Sequence, residues 1–143
     1  MVSIYCSYIW KRKPILVKGS LKRFRDLVYI KDCIDVLTKS ISTKLRKKND
    51  TFNLSSGENY SVNLLLKNII QTSNMPKNYP IKVLKGTKDD SFGFHTSSKK
   101  IQKIFNFKPK YNLKKGLIEY FDWINKIPHN ANLKNYHPLK LKR

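Results

Sequence analysis

The stretch that most constrains the fold of this chain runs from Gly19 to Asp32 and reads G-S-L-K-R-F-R-D-L-V-Y-I-K-D. A glycine turn leads into Arg25 and Asp26, and the apolar run at 27–30 predicts a short buried strand. Asp32 stands where it would cap a following helix. The sequence therefore predicts a turn, a strand and a helix in succession, with an arginine at the mouth of the strand.

Arg25 allows two interpretations. Its guanidinium offers a rigid fork of donors that matches phosphate geometry, and the neighbouring Asp26 could hold the side chain in place. The alternative is an ordinary surface ion pair beside a core strand, which contributes little to stability or function. The residues of this stretch leave both interpretations open.

Four later segments extend the pattern in a fixed order. They are Phe52-Asn53-Leu54-Ser55-Ser56-Gly57 with Ser61-Val62, Gly86 to Gly93, Phe105-Asn106-Phe107-Lys108-Pro109, and Leu113 to Leu117. Together with Gly19 to Asp32 they resemble, in the same order, motifs in the C-terminal half of NAD-dependent epimerases and dehydratases of nucleotide sugars. These enzymes form the extended short-chain dehydrogenase family, and the UDP-glucose 4-epimerases are the branch with the most similar motifs.

The resemblance implies an α/β fold, namely the C-terminal substrate-binding portion of a Rossmann-type extended short-chain dehydrogenase without its N-terminal dinucleotide-binding half. Residues 1–127 are expected to form this portion, and residues 128–143 a basic, mobile tail. The expected ligand is a nucleotide-diphosphate sugar. Neither the particular sugar nor the choice between epimerase and dehydratase follows from these motifs.

The resemblance also assigns roles to individual residues. It implies that Arg25 contacts the pyrophosphate, that the strand Ile15-Leu16-Val17 runs beside the nucleotide base, and that Asp90 orders the 86–93 loop. Many relatives carry a phosphate-contacting arginine where this chain has Thr87. A lysine nearby, Lys85 or Lys88, is the candidate to replace it.

The groups that bind NAD and move protons in this family are not expected in this chain. No Gly-rich phosphate-binding turn follows a first strand, and the catalytic Tyr-x-x-x-Lys pair is expected to be missing, because Tyr8 precedes Arg12 and Tyr29 precedes Cys33 at that spacing. We expect no catalytic or cofactor-binding residue here, NAD only in the intact family enzyme, and a chain that is inactive in isolation. A separately encoded N-terminal half is a candidate partner.

The charge raises an alternative function. The sequence carries 30 basic and 9 acidic residues, a formal net charge of +21. Such a charge would suit a small nucleic-acid-binding protein. The basic residues are mostly lysines scattered over the chain rather than an arginine stripe, so a solvated surface is the favoured interpretation and nucleic acid the alternative. A third alternative is the product of an interrupted gene.

Other chemistry finds little support in the sequence. Asp89 and Asp90 are adjacent, but neighbours on an extended segment point to opposite sides, so no metal site is predicted. Cys6 and Cys33 are isolated and are expected to be reduced thiols. No transmembrane run or signal-peptide layout is apparent, which predicts a cytoplasmic protein.

Apolar periodicity predicts the remaining elements. A helix is expected from the first residues to before Pro14, with exposed apolar groups at Val2, Ile4 and Ile9 if the cofactor domain is absent. The further predictions are strands at 15–17, 52–54 and 81–84, the 52–54 strand also being apolar and exposed, and helices at 32–42, from Ser61 to about 71, from Ser97 or Ser98 to 105, and from 113 to about 126. Ser61 is expected to cap its helix, whose predicted buried face is Val62, Leu65, Leu66, Ile69 and Ile70. Asn106, where the resembled family usually has glycine, tolerates a left-handed conformation.

Overall fold

A computed structural model of the chain describes residues 1–44, 49–87 and 91–127. Helices and strands alternate through these residues, which confirms the predicted α/β class. The elements in chain order are α1 (Val2–Trp10), β1 (Ile15–Lys18), β2 (Phe24–Asp26), α2 (Ile30–Ser42), β3 (Asn59–Ser61), α3 (Val62–Thr72), β4 (Ile81–Leu84), α4 (Lys99–Phe105) and α5 (Leu113–Ile124).

The strands form two small sheets. β1 and β4 are parallel, with Ile15 opposite Ile81, whereas β2 and β3 are antiparallel, with Arg25 opposite Tyr60. Gly19, at φ 81°, makes the turn that separates β1 from the segment leading to β2. The two sheets therefore lie on either side of one tight turn.

The main hydrophobic core lies between α1, β1, α3 and α5. Ile15 and Val17 of β1 are fully buried in it, and one face of α3 packs on one face of α5. The predicted buried face of α3 is confirmed: Val62, Leu65, Leu66, Ile69 and Ile70 are all buried. Ser61 caps this helix as predicted, because its hydroxyl accepts a hydrogen bond from the Leu64 N–H at 3.1 Å.

A second, smaller core joins α2 to α4. It consists of Val36, Ile101, Phe105 and Phe107, with Phe52 and Leu54 packed against it. Asn106 adopts the left-handed conformation that asparagine tolerates, at φ 47°. This residue ends α4 and turns the chain so that Phe107 can enter the same core.

Three predictions of local structure are wrong. Residues 27–29 are not a strand, since β2 ends at Asp26 and α2 begins at Ile30. Residues 52–54 are not a strand either, and the strand of that region is β3. Asp32 is not the cap of α2, because the N-cap position is Tyr29.

Asp32 instead lies in the first turn of α2 and is buried. Its carboxylate accepts hydrogen bonds from the backbone N–H groups of Lys110 and Tyr111 at 3.1 to 3.2 Å. A buried carboxylate needs such donors, and here they come from the segment between α4 and α5. The residue therefore ties two distant parts of the chain together.

The predictions for the tail at 128–143 and for Asp90 lie outside the described residues. Within the described ranges, none of the helices is long and apolar enough to cross a membrane.

Candidate functional site

A pocket of about 380 Å³ lies where α1, β1, the segment before β2 and the residue Thr87 meet. It brings together two of the residues predicted from the sequence, Leu16 and Arg25. Its full lining is Met1, Ile4, Tyr5, Leu16, Lys18, Arg23, Arg25 and Thr87. The lining therefore combines apolar and cationic side chains, a combination that suits a ligand with a flat apolar part and an anionic part.

Arg25 is held by the backbone of a neighbouring loop. Its Nη2 donates to the Ser91 carbonyl at 2.9 Å, and its Nη1 donates to the carbonyls of Phe24 at 2.7 Å and Phe92 at 3.3 Å. The carboxylate of Asp26 accepts from the N–H and the hydroxyl of Ser56. The sequence assigned the positioning of Arg25 to Asp26. In the structure, the carbonyls of Ser91 and Phe92 accept hydrogen bonds from the Arg25 guanidinium and so position it.

Arg23 adds a second guanidinium to the pocket. It lies two residues before Arg25, and both side chains line the pocket. The guanidinium of Arg23 donates to the Lys18 carbonyl and, through Nε, to the Ser20 carbonyl at 3.2 Å. The loop that contains Gly19 therefore orients Arg23.

The pKa of Tyr5 depends on the charges of Arg23 and Arg25. Burial raises the pKa of its hydroxyl, and the positive charges of Arg23 and Arg25 oppose that rise. Both guanidinium groups are thus within electrostatic reach of the same point on α1. An anionic group in this pocket would interact with both of them.

The three residues predicted to flank a nucleotide base have different positions. Leu16 lines the pocket, while the side chains of Ile15 and Val17 are fully buried in the core. These two residues therefore place the strand, and only Leu16 is available to a ligand through its side chain.

The backbone of β1 leaves one edge without a strand among the described residues. The N–H of Ile15 donates to the Pro80 carbonyl and the N–H of Gly19 to the Leu84 carbonyl, both at 2.9 Å. Because N–H directions alternate along a strand, the N–H of Leu16 points to the edge opposite β4. A planar ligand beside Leu16 would find hydrogen-bonding groups there.

The sequence did not identify Arg23 and Lys18 as residues of the pocket. Arg23 could have been found from its spacing of two from Arg25, and Lys18 from its place at the carboxyl end of β1. Of the predicted substitutes for the missing phosphate-contacting arginine, Lys85 is not part of the pocket lining and Lys88 lies outside the described residues. Thr87, at the position in question, does line the pocket.

The Tyr-x-x-x-Lys spacing expected to be absent does occur, so that prediction is wrong. Tyr111 and Lys115 have this spacing, as do Tyr136 and Lys140 outside the described residues. The Lys115 ammonium lies over the Tyr111 ring, 4.1 Å from its centroid, and the Lys31 ammonium lies 5.6 Å from the same centroid. The Tyr111 ring also stacks on the Tyr29 ring, at 4.5 Å between centroids. The pair overlaps the last motif segment, Leu113 to Leu117, and lines no part of the pocket that contains Arg25.

Thiol and metal chemistry gain no support from the described residues. Burial raises the pKa of Cys6 to about 12, so its thiol stays protonated and unreactive at neutral pH. Among the described residues, no group of three or more His, Cys, Asp or Glu side chains could hold a metal ion.

No protein-family model matches the chain, and no curated protein gives a significant match. The fold, by contrast, matches many solved structures.

Three of the matching structures serve as examples, and all three are nucleotide-sugar enzymes. UDP-glucuronic acid 4-epimerase from Bacillus cereus, in complex with UDP-glucuronic acid and NAD, has a TM-score of 0.80 at 21% identity over 87% of this chain and 40% of that chain. UDP-glucose 4-epimerase from Thermotoga maritima, with UDP-glucose, has a TM-score of 0.76 at 23% identity, covering 87% and 40%. dTDP-glucose 4,6-dehydratase from Bacillus anthracis, with NAD, has a TM-score of 0.74 at 18% identity, covering 87% and 38%.

This chain therefore has the fold of part of an NAD-dependent epimerase or dehydratase of nucleotide sugars. The match confirms, at the level of the fold, the resemblance drawn from the sequence motifs. The chain spans 38% to 40% of the length of these solved structures.

The described residues do not fit NAD. A dinucleotide pyrophosphate needs a Gly-rich turn between a strand and a helix whose N-terminal N–H groups are free. Three strands lead into helices here: β2 reaches α2 through 27–29, which contains no glycine, and β3 passes directly into α3, whose first turn is capped by Ser61. The segment 85–98 between β4 and α4 contains only two isolated glycines, Gly86 and Gly93. No such turn occurs among the described elements.

Proposed function

We propose that this chain is the nucleotide-sugar-binding portion of an NAD-dependent epimerase or dehydratase, similar to UDP-glucose 4-epimerase and inactive as an isolated chain. The solved structures with this fold include complexes with UDP-glucuronic acid and with UDP-glucose. The observation that carries the proposal is the clustering of Arg23 and Arg25 in one pocket with the open edge of β1.

In this proposal the two ends of the pocket bind different parts of the ligand. Leu16 and the edge of β1 lie beside the base, which needs an apolar surface and hydrogen-bonding groups in one plane. Arg25 contacts the diphosphate, with Arg23 beside it, because a guanidinium donates two parallel hydrogen bonds to phosphate oxygens. Asp90 is proposed to order the loop that reaches this pocket.

Arg25 is the residue to test. We expect Arg25→Ala to weaken UDP binding by roughly 2 to 5 kcal/mol, the usual cost of removing one partner of a desolvated charge pair. Arg25→Lys should restore only part of the affinity, since a point charge cannot reproduce the fork. Titration calorimetry with UDP measures both variants.

Lys22→Ala is the matched control. Lys22 is exposed and does not line the pocket, so the substitution removes one positive charge nearby without removing a ligand contact. Unchanged UDP affinity in Arg25→Ala, or an equal loss in Lys22→Ala, would contradict the proposal.

The alternative, a small basic nucleic-acid-binding protein, rests on the net charge of +21. Its affinity would depend on many phosphate contacts, would fall steeply with salt, and would change little when one arginine is removed. Titration of single- and double-stranded oligonucleotides at two salt concentrations separates it from the UDP-binding function.

A further inference from the structure

Tyr5 of helix α1 is almost fully buried and faces the candidate ligand pocket. Its exposed fraction is 5%, and it lines the pocket that contains Arg25. The apolar groups of α1 that were expected to be exposed hold the helix in place instead: Ile9 is buried, and Val2 and Ile4 pack against the main core. Because the helix and the ring are both packed, the position of the Tyr5 hydroxyl is fixed.

The Tyr5 hydroxyl makes no hydrogen bond to any part of the chain that the structure describes. A second tyrosine of α1 gives the comparison. The Tyr8 hydroxyl also lacks a partner among these residues, but it is fully enclosed, whereas the Tyr5 hydroxyl is not. A buried tyrosine hydroxyl ordinarily has a hydrogen-bond partner, because an unpaired one costs free energy. The Tyr5 hydroxyl is therefore available to a molecule bound in the pocket.

The charges around this hydroxyl decide what it can bind. Burial raises its pKa more than the positive charges of Arg23 and Arg25 lower it, so the hydroxyl keeps its proton at neutral pH and acts as a hydrogen-bond donor. The same two cations favour a negatively charged acceptor. A phosphate oxygen meets both conditions, whereas the polar groups of a base and of a ribose carry no charge.

The hydroxyl also adds a donor from a different element. Arg25 uses part of its guanidinium on the carbonyls at 91–92, and Arg23 uses its Nε on the Ser20 carbonyl. Both arginines belong to the segment that leads into and forms β2, whereas Tyr5 belongs to α1. An anion between them would therefore receive hydrogen bonds from two separate elements.

We propose that Tyr5 is a ligand-binding residue of this pocket and that its hydroxyl donates a hydrogen bond to a phosphate oxygen of the bound nucleotide, beside Arg23 and Arg25. The inference rests on the proposed function and deepens it, because it adds a residue that is specific for the phosphates. Tyr5 thus favours phosphorylated nucleotides over the uncharged nucleoside.

The test is Tyr5→Phe, which keeps the ring and removes only the hydroxyl. We expect UDP binding, measured by titration calorimetry, to weaken by about 10- to 100-fold, the range for a hydrogen bond to a charged group. Phosphorus NMR at saturating UDP should show a shifted resonance for at least one phosphate of the bound nucleotide. Unchanged affinity, or weaker binding with unchanged phosphorus resonances, would overturn the proposal.

Tyr8→Phe is the matched control. It removes a hydroxyl from the same helix, but Tyr8 does not line the pocket, so UDP affinity and the phosphorus resonances should stay as they are in the wild-type chain. Thermal unfolding of Tyr5→Phe should also match the wild type, since its hydroxyl has no partner among the described residues. A lower melting temperature would show that the hydroxyl serves the fold, and would count against the proposal.

Titration with inorganic pyrophosphate separates this inference from the proposed function. UDP binding that depends on Arg25 but not on Tyr5 would overturn the inference alone. Pyrophosphate binding as tight as that of UDP, and weakened in Tyr5→Phe, would show that the nucleoside contributes nothing and would overturn the proposed function alone. A wild-type chain that binds neither molecule would overturn both.

Discussion

Single polar residues decide how distant segments of this chain are held together. Arg25 donates to carbonyls at Ser91 and Phe92, and Asp32 accepts from N–H groups at Lys110 and Tyr111. In each case a charged side chain satisfies backbone groups far away in sequence, which makes the hydrogen bonds stronger than neutral ones. These two residues therefore position the pocket and the start of α5 respectively.

Asp32→Asn should destabilise the fold by about 1 to 3 kcal/mol, because one carboxylate oxygen is replaced by an NH₂ group that cannot accept from the buried N–H groups. Chemical denaturation followed by circular dichroism measures the change. Asp35→Asn is the matched control: Asp35 lies on the same helix and makes exposed ion pairs with Lys39 and Lys110, which contribute little. Equal stability of both variants would contradict the role given to Asp32.

At the scale of elements, the loop at 91–95 packs directly on β2. The Phe24 N–H donates to the Phe92 carbonyl at 3.1 Å, and the Phe24 ring lies 4.9 Å from the ring of His95. A Cβ on Gly93 would lie 2.6 Å from atoms of the Phe24 ring. Glycine at this position therefore allows the loop to approach β2 closely enough for its carbonyls to hold Arg25.

Gly93→Ala should displace the loop and weaken UDP binding, because the carbonyls of Ser91 and Phe92 would move away from Arg25. Overpacking of this kind also costs about 1 to 3 kcal/mol of stability. Calorimetric titration with UDP and thermal unfolding measure the two effects. Phe24→Leu in the same chain makes room for the added methyl group and should restore part of both, with Phe24→Leu alone as the control. Full UDP affinity in Gly93→Ala would show that the loop does not position Arg25.

At the scale of the whole molecule, the chain contains a core and a candidate ligand pocket but no described site that fits NAD. The main core closes around β1 with α1, α3 and α5, and it does not depend on α2. We therefore expect the chain to fold on its own. Under the proposed function it would need a dinucleotide-binding half for chemistry, because the hydride is carried by the cofactor.

The purified chain should neither retain NAD nor interconvert UDP-glucose and UDP-galactose. Absorbance and fluorescence after gel filtration with added NAD measure retention, and a coupled assay measures turnover. Tyr111→Phe is the control for the one Tyr-x-x-x-Lys spacing within the described residues. Turnover by the wild-type chain that is lost in Tyr111→Phe would assign catalysis to that pair and contradict this prediction.

Local signals in the sequence were sufficient to predict the elements that depend on neighbouring residues. The apolar periodicity of α3, the cap at Ser61, the left-handed Asn106 and the short strands β1 and β4 follow from residues within a few positions of one another. The motif order was sufficient for the fold class, since the structural match agrees with it.

Other features of the fold depend on contacts between residues that are distant in sequence, and no local signal predicts them. Because β2 pairs with β3, the strand lies at 24–26, around Arg25, and not at 27–30 as predicted. The N–H groups of Lys110 and Tyr111 donate to the carboxylate of Asp32, which is therefore a buried acceptor and not a helix cap. Helix α2 has apolar residues on two faces, and its sequence does not distinguish them. The small core formed with α4 buries the face at Val36, so the opposite face, at Ile34 and Ile41, is left exposed, because a helix side chain is buried only where another element packs against it.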